Sequence, residues 1–164
     1  MSDTNPPELA WRETYFVLFR SSDRPTIMQL ESAIADASPR LKLKNLEANE
    51  EGYFQSLLVQ APEDNAAMEI SYEAGDVVIE QSTELAKSMR KRLTDDQLAQ
   101  LLRADARLDV MHFEQVQDEW DDQPADEEFF DDTFDPASLI SVVEALASLT
   151  GGVAIDPGAG EVLE

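Results

Sequence analysis

Cysteine is absent from this 164-residue chain. That excludes disulfides, thiolate nucleophiles and cysteine-based zinc sites. Histidine occurs once, at His112. A Ser-His-Asp relay would have to use it, and a multi-histidine metal site has no second ligand to draw on. No HExxH pattern surrounds it. Its neighbours Val110 and Phe113 fit a strand, so a packed histidine is the expectation. No apolar run approaches the 18 residues of a membrane span. The start, MSDTNPPELAW, lacks the basic and apolar regions of a signal peptide. A cytoplasmic protein is expected from this.

Glycine is scarce, with six residues in all and none between Gly75 and Gly151. Neither GxGxxG nor a Walker-type phosphate loop is present. The stretch GGVAIDPGAG follows a helical pattern, whereas a phosphate loop precedes one. An ordinary EF-hand is also excluded from the acidic segment, because its loop needs a central glycine. No cofactor is expected.

Positive charge is the other shortage. Twelve Lys and Arg face 35 Asp and Glu, a net charge of −23. All twelve bases lie in residues 1–107, beside 19 acids; residues 108–164 hold 16 acids and no base. Such a chain opposes direct binding to nucleic acid or to an anionic membrane, whose phosphates need cationic partners. Four bases cluster in KSMRKR, at Lys87, Arg90, Lys91 and Arg92.

What is present suffices for a core: 43% of residues are hydrophobic. The length suits one domain. Residues 1–12, with Pro6 and Pro7, read as a flexible leader. Residues 13–164 read as a single α+β domain with an acidic-aromatic insertion at 114–135. ETYFVLFR (13–20) is an apolar run of strand length, covered on both faces. Asp23 caps a following helix with Pro25 in its first turn, and Ile27, Leu30 and Ile34 supply its stripe. Leu41 and Leu43 alternate with Lys42 and Lys44, the pattern of a half-exposed strand. Residues 53–59 return, and 67–73 form a further short strand.

A helix is expected from Asp76 to about Arg92, with Val78, Leu85 and Met89, joined by Val77 and Leu93, on its apolar side. Thr94 and Gln97 have capping-box spacing, and Leu98, Leu101 and Leu102 form the next buried side. ARLDVMHFEQV (106–116) is a strand. Asp135-Pro136 starts a helix carrying Leu139, Val142, Val143, Leu146 and Leu149; Gly151 ends it. VAID is a short last strand, and DPGAGEVL a turn with one more extended piece. The order suggests an α+β fold: a mixed or antiparallel sheet with helices packed on one face. A ferredoxin-like arrangement with additions is the leading topology.

The segment from Glu114 to Asp135 has 11 acids in 22 residues and no base, with Trp120, Phe129, Phe130 and Phe134 among them. Asp121, Asp122, Asp126, Glu127, Glu128, Asp131 and Asp132 have the oxygen chemistry of hard-cation ligands, but no spacing that defines a metal site. Paired carboxylates are also the requirement of glycoside hydrolysis. A nucleic-acid mimic would use carboxylates in place of phosphates. The aromatics favour two other roles: pinning the segment to the domain, or anchoring a partner. With no catalytic signature, binding is favoured over catalysis. The partner-binding candidates are Trp120, Asp121, Asp122, Glu127, Glu128, Phe129, Phe130, Asp131, Asp132 and Phe134. The expected partner is a basic protein. A carboxylate-based hydrolase or divalent-metal enzyme is the alternative from another class. Self-association, with bases 87–92 of one chain against 114–135 of another, is a further option.

Overall fold

The computed structural model describes residues 9–37, 40–61, 66–115 and 137–163. Its elements follow the expected order: β1 (Leu9–Phe19), α1 (Ile27–Ala37), β2 (Lys42–Ala48), β3 (Phe54–Ala61), β4 (Ala66–Ala74), α2 (Asp76–Ser88), α3 (Asp95–Arg103), β5 (Ala106–Gln115), α4 (Ala137–Thr150), β6 (Val153–Asp156) and β7 (Glu161–Val162). The strands form one sheet in the order β2-β3-β4-β5-β1-β6-β7. Every neighbouring pair is antiparallel. The chain has an α+β fold.

β1 is an interior strand of the sheet, between β5 and β6. This explains its apolar composition, since side chains on both of its faces are covered. Tyr15, Val17 and Phe19 join one core cluster; Phe16 and Leu18 join another. The strand is longer than expected. Residues 9–12, read from the sequence as leader, belong to β1, and Leu9 pairs with Gln115 of β5. The long partner strand continues the ladder past the point where the apolar run stops.

The helices divide between the two faces, which corrects the one-face arrangement. α1 and α4 pack on the first face through Leu30, Ile34, Leu139, Val142, Val143 and Leu146, over Leu57, Val59, Ile70, Leu108 and Val110. On the opposite face α2 and α3 pack through Val78, Ala86 and Leu101, over Leu18, Val153 and Ile155. The strand order also departs from the ferredoxin-like one. A split β-α-β unit of that kind seats one strand between its two parallel strands. Here β3, β4 and β5 all separate β2 from β1. That spacing depends on long-range pairing, which local patterns do not encode.

Two helix ends differ from expectation. Asp23 lies in a short 3-10 turn, Ser21–Asp23. Thr26 caps α1 instead: the Gln29 N–H donates to Thr26 Oγ1 at 3.1 Å, and the Thr26 N–H donates to Gln29 Oε1 at 3.0 Å. This is the same reciprocal box that Thr94 and Gln97 make at α3. α2 ends at Ser88, and Arg90–Arg92 form a separate 3-10 turn. Its buried side is Val78, Ser82 and Ala86, with Met89 following. Val77 and Leu102, both expected inside, are exposed. Small residues at 82 and 86 let α2 lie close to the sheet; an apolar count overlooks them.

The Pro136 boundary of α4 lies outside the described residues. The helix ends as expected. Gly151 has φ 66, a conformation that favours glycine at this position. At Gly152 a Cβ would stand 2.5 Å from the Leu18 carbonyl oxygen. Only glycine allows the chain to turn there from α4 directly into β6.

Candidate functional site

The ten partner-binding candidates, Trp120, Asp121, Asp122, Glu127, Glu128, Phe129, Phe130, Asp131, Asp132 and Phe134, lie outside the described residues, as does Asp126. The elements that flank them are described. β5 is paired with β1 as far as Gln115, and α4 begins at Ala137. Three other groupings of ionisable side chains can be described in full.

The first is on β5, at the face that α2 crosses. Arg107 and Asp109 are two residues apart, so the strand projects both to one side while Leu108 and Val110 enter the opposite core. Arg107 is buried, at 6% exposure. Its Nε donates to Asp109 Oδ1 at 2.5 Å and its Nη2 to Glu73 Oε1 at 2.8 Å. Nη1 donates to Gln81 Oε1 of α2. The guanidinium carbon also stands 4.5 Å from the centre of the Phe16 ring. All three nitrogens and one flat face are therefore occupied, as a buried cation requires. Burial pushes the Asp109 carboxyl above its ordinary range, against the downward pull of Arg107. A groove of about 580 Å³ opens beside this cluster, between α2 and the sheet.

The second grouping is at the opposite face. His112 is buried, and its Nδ1 stands 3.3 Å from Glu13 Oε2. The two residues are paired across β1 and β5, next to the register shift between Trp11 and Glu13. His112 is thus packed within the sheet, as its strand pattern suggested. Tyr15 lies on the same side of β1. Burial raises its phenol to about 12, with the negative charges of Glu13 and Asp156 adding to the effect. A raised folded-state value stabilises the fold below the unfolded value, near pH 10. That stability is lost as pH rises through about 12. Tyr15→Phe is therefore expected to flatten the decline in stability between pH 10 and 12, read by urea unfolding across that range. An unchanged decline would show that Tyr15 does not control it.

The third grouping is the basic corner. Lys87, Arg90 and Lys91 are exposed, and none has an ion pair among the described residues. Arg92 Nη1 donates to the carbonyls of Ala159 and Gly160, each at 2.9 Å. This holds the β6–β7 turn against the corner, around a cavity of about 670 Å³. Lys87 sits in the last turn of α2, where a cation complements the helix dipole.

Among the described residues, no three His, Asp or Glu side chains gather as a metal-ligand set. Nor is any described helix long and apolar enough to cross a membrane. Comparison with family models, with curated proteins and with solved structures finds no match.

The sequence reading missed the Arg107 cluster. Its local signal was present, since Arg-x-Asp within an apolar strand puts two charges on one face. The partners that make it a site, Glu73 and Gln81, come from β4 and α2. Only the folded sheet brings them there.

Proposed function

We propose that this is a non-enzymatic binding or regulatory protein that engages a basic partner through residues 114–135. The observation that carries this reading is the charge distribution: 11 acids and no base in that segment, interspersed with Trp120, Phe129, Phe130 and Phe134. Clustered carboxylates attract a basic surface and speed its encounter, and aromatic side chains supply the short-range anchor. The segment begins inside β5, whose ladder takes in Glu114 and Gln115, and the chain is described again from Ala137 of α4.

The test is affinity capture from native cell lysate at low and moderate salt, comparing wild type with a Phe129→Ala/Phe130→Ala variant. A partner bound by wild type, weakened by salt and lost in the variant supports the proposal. A partner retained equally by both proteins removes the anchoring role. Hydrolysis of a glycoside or a divalent-metal-dependent activity in purified protein would favour the carboxylate-enzyme alternative. Capture of a nucleic-acid-binding protein that DNA competes away would favour mimicry.

A second reading has its own observation. Lys87, Arg90 and Lys91 lack ion pairs among the described residues, and the acids 114–135 of another copy would complement them. Self-association that weakens with salt, and disappears in a Lys87→Glu/Lys91→Glu variant, is the expected result by light scattering. A monomer at low salt excludes it.

A further inference from the structure

The groove beside Arg107 has two kinds of wall. Phe16 of β1 and Leu85 of α2 are apolar; Glu80, Glu84 and Asp109 are carboxylates. Glu80 and Glu84 are one helical turn apart and exposed, so they share a face of α2. Neither is paired with a base among the described residues. Arg107, the one base of the groove, has its nitrogens engaged by Asp109, Gln81 and Glu73. An anionic ligand would therefore meet no free cation here and the two unpaired carboxylates of Glu80 and Glu84. A cation would meet the reverse. The volume, about 580 Å³, lies within the range of ligand sites.

We infer that this groove receives a guanidinium carried on an apolar stem, namely an arginine side chain of the basic partner. The stem would lie against Phe16 and Leu85, and the head would reach the carboxylates of Glu80 and Glu84. A guanidinium suits this better than an ammonium. Its planar fork can take a carboxylate in two hydrogen bonds, and it is more weakly hydrated, so less is lost on leaving water. Methylene stems cover apolar surface while keeping the charge at the rim. The inference rests on the reading of a basic partner, but it places one contact on the folded domain, apart from residues 114–135.

The test uses hexylguanidinium chloride as probe, followed by amide chemical shifts of the labelled full chain. Saturable shifts are expected around Phe16, Arg107–Asp109 and Glu84–Ser88. Guanidinium chloride lacks the stem and hexanol lacks the charge, so neither should saturate those residues over the same concentrations. Glu80→Gln/Glu84→Gln changes two exposed side chains and leaves the Arg107 cluster whole. It should weaken probe binding by about fivefold to tenfold. Ser88→Trp, at the rim of the groove, should block it without removing a charge. Binding equal to hexanol, or unaffected by both groove variants, overturns the inference. Shifts confined to residues 116–136 overturn it as well, while leaving the basic-partner reading intact. Groove saturation alongside failed partner capture would retain the site and remove that reading.

Discussion

Arg107→Ala is expected to destabilise the protein by about 3 kcal/mol, the lower end of the range for breaking a buried ion pair. The lower end applies because the Asp109 side chain is 19% exposed and keeps some contact with water. Three losses combine. Asp109 is left half-buried without its cation, Gln81 and Glu73 lose a donor, and the Phe16 ring loses the group stacked on it. Arg107→Met keeps most of the stem volume and should lose less than alanine. Glu73→Ala should cost at most about 1 kcal/mol, because its carboxylate is largely in water. Urea unfolding of the three variants provides the check. A loss below about 1 kcal/mol for Arg107→Ala would mean that water replaces the guanidinium at little cost.

Leu146→Ala should cost about 2–5 kcal/mol. Leu146 is fully buried, in the first-face cluster shared by α4, α1 and the sheet. The cost depends on how far the surroundings collapse into the space left. Collapse is limited there, because Leu30 and Ile34 are fixed by α1, and Val17 and Leu108 by the two central strands. A value in the upper half of the range is therefore expected. Glu144→Ala, on the exposed side of the same helix, should fall within about 0.5 kcal/mol of wild type. Denaturant unfolding measures both. Similar losses at 144 and 146 would show that the helix does not bury the face described.

The parts of this fold that were legible are those whose cause is local. Alternation or unbroken apolar runs located β1, β2, β3 and β5. Leu139, Val142, Val143 and Leu146 located α4, because their spacing repeats with the helix itself. The Thr94–Gln97 box was readable for the same reason. The identical Thr26–Gln29 box was obscured by Asp23 and Pro25, which carry stronger individual signals, although Asp23 belongs to the preceding turn and Pro25 to the link after it. Hydrophobicity misled at Val77 and Leu102, which are exposed, and at Ser82, which is buried. A helix stripe has a direction only once its neighbours are placed. The two-faced distribution of helices, the placing of β1 between β5 and β6 and the Arg107 cluster all depend on distant residues. They were unreadable because no local rule specifies strand partners. The acidic segment was conspicuous from its composition alone, and the ten residues singled out in it lie outside the described chain.

The interior place of β1 has a consequence for synthesis on the ribosome. Its neighbours are β5, beginning at Ala106, and β6, beginning at Val153. At a translation rate of roughly 5–20 residues per second, β1 leaves the exit tunnel about 4–17 s before its first strand partner does. During that interval its TYFVLF run has no strand paired to it. The β2-β3-β4 meander is adjacent in sequence and can pair first, but it meets β1 only through β5. The nascent chain therefore carries an unpaired aggregation-prone strand until most of its length has emerged. Slowing translation within residues 20–105 should lower the soluble yield, whereas a delay after Asp156 should have little effect.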